Sequence, residues 1–321
     1  MNIQIENAID LMAKQDCKLV SHYYTNPLVQ DLAENSGGFV GDSLDMAIWS
    51  RKQSCQSILV AGVYFMAETI KILNPDKHVY IVDENATCSL DLSCGYDDFM
   101  LFCQNNPDRT VIAYINTSAK VKTLADWVVT SRKAVELIYY LECKGEKILW
   151  APDKHMGSYL KQETKADILC WDGACIVHES LKAKGIANLI EKNPDAAVFV
   201  HPEAPLEVIN LATLVGSTKD MIDQIQKIKN KQIIVATDRG IIYKLTKIAP
   251  EKEIIEAPSG GTGATCVACA HCPWMEMNTL DKIISQLNHK NSEILLDEEI
   301  IYKAQRPLEK MLNIDNLIYR Y

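Results

Sequence analysis

No run of like charges, no low-complexity tract and no basic excess occurs in these 321 residues, and the formal net charge is −9. An acidic balance argues against a nucleic-acid or anionic-membrane partner, since both reward a basic face. Small anionic substrates stay possible, because a site can be locally positive. The opening Met-Asn-Ile-Gln-Ile-Glu-Asn lacks the basic region and apolar core of a secretory signal. No apolar run approaches the ~20 residues of a membrane span. Cysteine, by contrast, is abundant: eleven in a chain without a secretion signal point to a reducing cytoplasm and to thiol chemistry. The length predicts two or three domains.

The densest thiol stretch is Cys266-Val-Ala-Cys269-Ala-His-Cys272-Pro-Trp-Met, close behind Ser259-Gly-Gly-Thr-Gly263. Thiolates this close suit zinc or an iron–sulfur cluster, yet three are offered where a tetrahedral site or a cubane takes four. A bacterial-type electron carrier would place its fourth cysteine where Glu276 stands. That disfavours a self-contained carrier or zinc-binding module.

Apolar β-branched runs alternate with helical patterns throughout, which predicts an α/β fold with parallel strands. A domain-sized unit recurs three times. Its first strand begins at Lys18, Val111 and Val198, and its third at Ile58, Ile148 and Ile233. The second strands run into Ser43, Ser131 and Ser217-Thr218, with the serines spaced by 88 and 86 residues. The fourth strands begin at Val79, Asp167 and Glu253. The expectation is three quasi-equivalent three-layer αβα units about a pseudo-threefold axis, over residues 1–87, 88–174 and 175–274. Residues 275–321 supply further helices, broken at Pro307, that pack on the first unit. An amphipathic helix is expected around Ile5, Ile9 and Met12.

Ligands of open parallel sheets bind outside the carboxyl ends of the strands. After the first strands, at i and i+2, come His22 with Tyr24, Tyr114 with Asn116, and His201 with Glu203. If the units surround one cavity, these groups converge. A Ser or Thr at a helix start, as at Ser43, Ser131, Ser217 and Thr218, serves as a cap and can also bind an anion. After the fourth strands come Cys88 and Cys175, spaced by 87, and then the Cys266–Cys272 stretch. One cysteine per unit would give three thiolates and a vacant position, the arrangement of a catalytic centre. Cys272 is the best of its trio, because Pro273 suits the first turn of a following helix and the helix dipole favours a thiolate there. His178, one turn beyond Cys175, should face the same cavity. Cys17, Cys55, Cys94, Cys103, Cys143 and Cys170 read as buried spectators.

The motifs that carry a family resemblance are His22-Tyr-Tyr24, Gly41-Asp-Ser-Leu44, Gly62-Val-Tyr-Phe-Met-Ala-Glu68-Thr, Asn74-Pro-Asp-Lys77 and Tyr114-Ile-Asn-Thr-Ser118. Pro152-Asp-Lys154, Trp171-Asp-Gly-Ala-Cys175-Ile-Val-His178, His201-Pro-Glu203, Gly216-Ser-Thr218 and Cys272-Pro-Trp-Met-Glu-Met-Asn-Thr-Leu280 continue it. In this order they resemble quinolinate synthase over nearly the whole chain. The resemblance implies a [4Fe–4S] cluster on Cys88, Cys175 and Cys272, whose unligated iron acts as a Lewis acid. It implies condensation of iminoaspartate with dihydroxyacetone phosphate to quinolinate, releasing phosphate and two waters, in NAD biosynthesis. An L-aspartate oxidase or dehydrogenase would supply the iminoaspartate. Glu203 would then be the main base, with His201 and Tyr24 moving protons. His22, Ser43, Tyr114, Asn116, Ser131, His178, Ser217 and Thr218 would hold carboxylates and phosphate.

Three departures stand out. Val129-Thr-Ser-Arg132-Lys133-Ala replaces the family's Cys-Thr-Ser-Ser-Asn-Ala, Asp238 replaces the usual Glu after Thr237, and His155-Met156 replaces Asn-Leu. None is expected to touch the three cysteines, and Arg132 and Lys133 are expected on the surface. A reductase of hydroxymethylbutenyl diphosphate, which also gathers three cysteines, is the nearest rival, but its diphosphate motif is not recognisable. Cys266 and Cys269 are left as a C-x-x-C pair able to form a reversible disulfide.

Overall fold

The computed structural model describes residues 3–259 and 268–318. Cys266 lies outside them, so the C-x-x-C disulfide falls outside the described residues. Three four-stranded parallel sheets, each flanked by helices, follow one another along the chain. The first contains β1 (Cys17–His22), β2 (Phe39–Gly41), β3 (Ser57–Ala61) and β4 (His78–Ile81), in the order β2-β1-β3-β4. The second contains β5 (Thr110–Tyr114), β6 (Trp127–Val129), β7 (Ile148–Ala151) and β8 (Ile168–Cys170), ordered β6-β5-β7-β8. The third contains β9 (Ala197–Val200), β10 (Leu214–Val215), β11 (Gln232–Ala236) and β12 (Glu253–Glu256), ordered β10-β9-β11-β12. The α/β repeat expected from the sequence is therefore present, down to the pairing. Val20 meets Phe39, Ile112 meets Trp127, and Phe199 meets Leu214. The strands are short apolar runs because parallel sheets are covered on both faces. Every residue of β3 is buried.

That register corrects one alignment. The second strands stop at Gly41, Val129 and Val215, and the helix N-caps are Asp42, Thr130 and Ser217. Ser43 and Ser131 open their helices, so their counterpart is Thr218, not Ser217.

The apolar core is shared between units. Val20, Ile58 and Val60 of the first sheet join Ile112, Val128 and Trp150 of the second in one buried cluster. Leu19 and Leu59 join Phe199, Ile233 and Val235 of the third in another. Two further contacts hold the first unit, one to the C-terminal tail and one to the third unit. Asn278 exchanges a pair of hydrogen bonds with the backbone of Gly62, both 3.0 Å. Gly240 opens its helix against Tyr24, where a Cβ would lie 2.5 Å from the Tyr24 Cα.

In the tail, helix Leu280–His289 buries Ile283 and Leu287 against Ala8 and Met12 of the N-terminal helix Ile3–Lys14. Helix Glu298–Leu312 buries Ala304, Leu308 and Met311 in the core shared by the first two units, and Lys310 reaches the Asp126 carbonyl at 2.9 Å. Pro307 does not break this helix, contrary to expectation. Its ring lies on the buried face, where packing offsets the missing amide bond. None of the described helices is long and apolar enough to cross a membrane.

Candidate active site

Three cysteines stand at the starts of short helices beyond the fourth strands. Cys88, Cys175 and Cys272 are the N-cap residues of the one-turn helices Ser89–Ser93, Ile176–Glu179 and Pro273–Glu276. None of the three sulfurs makes a side-chain cap hydrogen bond, but the backbone N–H groups of each helix start oppose the rise in the thiol's pKa. All three line one cavity. Burial pushes every one of these thiols up, Cys272 to about 11. Negative charge on Cys272 further disfavours Cys88, and charge on Cys88 disfavours Cys175. Left to themselves these sulfurs stay protonated; a shared cationic centre is what would let all three ionise.

The same cavity is lined by all fourteen residues nominated from the sequence. Their grouping is not a simple strand face. His22 and Tyr114 are the last residues of β1 and β5, and Tyr24, Asn116, His201 and Glu203 lie in the turns beyond the strands. Two turns are alike: Tyr24 N–H donates to His22 Nδ1 at 3.2 Å, and Glu203 N–H donates to His201 Nδ1 at 3.3 Å. With Nδ1 accepting, each neutral ring carries its proton on Nε2. Both rings are neutral, because burial drives them down to about 3.

Glu203 sits at the centre. It accepts from the Tyr114 hydroxyl at 2.8 Å and from Asn116 Nδ2 at 3.5 Å. His178 Nδ1 lies 2.9 Å from Oε2, an ion-pair distance whose angle falls short of a hydrogen bond. The His178 ring stacks on His201 with centroids 4.6 Å apart. Burial opposes charge on Glu203, but His201, His178 and the Tyr114 hydroxyl outweigh it and hold the carboxyl down at about 2. Tyr24 and Tyr114 are pushed well above the usual phenol range by burial, so both remain O–H donors at neutral pH.

Thr237, just past β11, was not among the nominated site residues and is nearly inaccessible. Its Oγ1 lies 2.8 Å from the Tyr24 hydroxyl and 2.8 Å from His178 Nε2. Hydrogen bonds therefore run Tyr24–Thr237–His178 and Glu203–Tyr114, and the His178–Glu203 ion-pair contact joins the two. Only the family's Thr-Glu pattern pointed toward residue 237, because a threonine after a strand otherwise reads as a turn.

The departures from the family pattern fall out differently. Asp238 does touch the cysteine region, against expectation: its Oδ2 accepts from Cys272 N–H at 2.6 Å, and its Oδ1 from Gly240 N–H at 2.7 Å. His271 Nδ1 lies 3.1 Å from the same carboxylate, whose hydrogen bond raises the imidazole pKa. Arg132 pairs with Asp220 and Asp223 of the third unit at 3.6 and 3.3 Å, and Lys133 with Glu136 and Asp315 at 3.0 and 2.7 Å. The Ser217 hydroxyl donates to Asp220 in a capping box, so its proton is already committed. Among the expected spectators, Cys17, Cys55 and Cys94 are buried and Cys103 and Cys170 half-buried. Cys143 is exposed, because it ends helix Ser131–Cys143 on the solvent side.

The sequence matches the family model described as quinolinate synthetase A protein over residues 6–313. The chain belongs to that family. Membership of the quinolinate synthetase A family assigns it to quinolinate synthesis in NAD biosynthesis, in a family that binds an iron–sulfur cluster. The donor set fits such a group: three half-buried cysteines, each at the start of a short helix, line one cavity. A tighter set also exists, since ligand atoms of Cys175, His178 and Glu203 lie within 4.8 Å of one another. His178 and Glu203 are already engaged with Thr237 and Tyr114, so the three-thiol set is the better home for a metal centre.

Proposed function

We propose that the protein is a quinolinate synthase that condenses iminoaspartate with dihydroxyacetone phosphate, releasing phosphate and two waters. The observation that carries this reading is the meeting, in one cavity, of the cysteine that follows each sheet and the polar groups at that sheet's strand ends. Cys88, Cys175 and Cys272 would hold a [4Fe–4S] cluster, leaving the fourth position open. When bound, the cluster supplies Lewis acidity through its unligated iron.

The remaining work falls to side chains. Ring formation needs proton removal beside a carbonyl, delivery of protons to departing oxygens, and fixation of two carboxylates and a phosphate. Glu203 is ionised, the state a base requires, and its Tyr114 and Asn116 bonds fix its orientation. Tyr24 keeps its proton and is tied through Thr237 to His178, beside Glu203, which places a proton donor and a base in one cavity. His22 and His201, protonated on Nε2, are donors for substrate oxygens, with His201 also placed to shuttle a proton. Ser43, Ser131 and Thr218 open three helices around the cavity, where hydroxyl and backbone N–H groups suit phosphate and carboxylate oxygens. Ser217 shapes this helix start from the cavity wall, since its hydroxyl and its N–H both donate to Asp220. The substrates are small and anionic, the compartment is the cytoplasm, and an aspartate-oxidising enzyme supplies the unstable imine.

A direct test is to purify the protein without oxygen, measure iron, sulfide and the visible spectrum, and change cysteines singly to alanine. The cluster should disappear with C88A, C175A or C272A and survive C266A and C269A. Dependence on Cys266, Cys269 and Cys272 together would overturn the assignment. A single metal ion lost with H178A is the outcome that favours the Cys175–His178–Glu203 set instead.

A further inference from the structure

Buried carboxylates stand at the same place in two of the three units. The third strands end at Ala61, Ala151 and Ala236, and two residues on come Val63, Asp153 and Asp238. Asp153 and Asp238 are both fully inaccessible. Each uses one oxygen at the start of the next helix: Asp153 Oδ1 accepts from Met156 N–H at 2.7 Å, and Asp238 Oδ1 from Gly240 N–H at 2.7 Å. Each turns the other oxygen to a cysteine backbone N–H: Asp153 Oδ2 to Cys175 at 3.3 Å, and Asp238 Oδ2 to Cys272 at 2.6 Å. The backbone of the two cysteines is correspondingly alike, with φ −76° and ψ 117° at Cys175 and φ −81° and ψ 114° at Cys272. Cys88, whose unit carries Val63 instead, has φ −140° and ψ 137°.

We propose that Asp153 and Asp238 are matched positioning residues that fix the backbone of Cys175 and Cys272, and with it the direction of their sulfurs, while Cys88 is left to adjust. The physical reason is local. Anchoring the N–H of a residue fixes its φ, and φ sets where Cβ and Sγ point. A carboxylate can accept at both oxygens at once, so it ties the loop after the fourth strand to the helix after the third. A valine cannot. The division makes sense for a three-legged ligand set: two rigid thiolates define the seat, and a third with conformational freedom closes on whatever occupies it. Ligands held by outer hydrogen bonds in this way commonly lose ~10–100-fold in metal affinity when the partner is removed.

The inference rests on Cys175 and Cys272 being ligands, but one arm of its test needs no metal. Metal-free, full-length D153A and D238A are treated with iodoacetamide under native conditions, and the rate at each cysteine is read by mass spectrometry. D153A should speed modification of Cys175 several-fold and D238A that of Cys272, with Cys88 little changed. In reconstituted protein, both variants should surrender iron to a chelator about tenfold faster than wild type. If either alanine variant fails to fold, D153N and D238N take its place. Asparagine keeps the shape but turns one acceptor into a donor, so one of the two bonds must break. Unchanged labelling of the paired cysteine in a folded variant overturns the proposal, as does equal acceleration at all three cysteines. A protein that binds no iron yet keeps the paired labelling pattern refutes the proposed function and leaves the positioning role standing.

Discussion

Thr237 is where the polar chain of the cavity is most easily cut, because a single hydroxyl joins the first unit's Tyr24 to the third unit's Glu203 through His178. T237V removes that hydroxyl with little change in volume. It should lower kcat by roughly 100-fold with a much smaller change in KM, while T237S recovers most of the loss. Equal losses in the valine and serine variants would mean that the site needs the methyl's packing and not the hydroxyl. A second expectation concerns pH. His22 and His201 titrate at about 3 in the fold, against about 6.5 in an unfolded chain, so the unfolded state takes up protons first as pH falls. The stability gained from keeping these rings neutral is complete above pH 6.5 and declines below it. The decline is about 1.4 kcal/mol per pH unit for each ring. The urea midpoint should therefore drop between pH 7 and pH 5, and H22Q should make that drop about half as steep; a flat midpoint would contradict the assigned neutral state. His22, Tyr114 and Glu203 were legible in sequence because each belongs to a pair repeated at the same strand end. Asp238 was not, since an aspartate after a strand reads as a cap, and its second oxygen's partner lies 34 residues away in the chain.

Short elements between the units carry more of the stability than their length suggests. Helix Tyr64–Leu73 of the first unit meets helix Ala119–Lys122 of the second through a buried pair, Glu68 and Lys122. Glu68 Oε2 accepts from Ala119 N–H at 2.8 Å, and Lys122 Nζ donates to the Thr117 carbonyl. Burial pushes Glu68 up to about 7 and Lys122 down to about 8, and their mutual attraction opposes both shifts. Removing the ammonium withdraws the nearby positive charge that favours the buried Glu68 carboxylate, so K122M should cost about 1–3 kcal/mol in urea denaturation. The double variant K122M/E68M should regain much of that. An undiminished K122M would show that the pair contributes nothing net. Gly240 offers a test of the first-to-third contact: G240A places a methyl against the Tyr24 backbone and should lower both kcat and the melting temperature. The strands were legible as apolar runs at a fixed interval. Pro307 misled because proline's helix-breaking tendency is a local property, while the buried face of Ala304, Leu308 and Met311 is a tertiary one.

At the scale of the whole molecule, repetition did most of the predictive work. A strand order used three times, with the same register, puts three sets of strand-end groups into equivalent places. What repetition could not convey is how the units differ. The Asp153 and Asp238 carboxylates have Val63 as their counterpart, and Arg132 reaches across to Asp220 and Asp223, a choice no intra-unit pattern contains. Asymmetry of this kind is what an unsymmetrical reaction needs, with two different substrates and one base. This cavity, loaded with a [4Fe–4S] cluster, is proposed to make quinolinate. The most direct measurement supplies the anaerobic, cluster-loaded protein with iminoaspartate, generated in place, and dihydroxyacetone phosphate, and follows quinolinate and inorganic phosphate. Equimolar appearance of the two, abolished in E203Q and in the three cysteine variants, is the predicted result. A fully loaded protein that forms no quinolinate would contradict it.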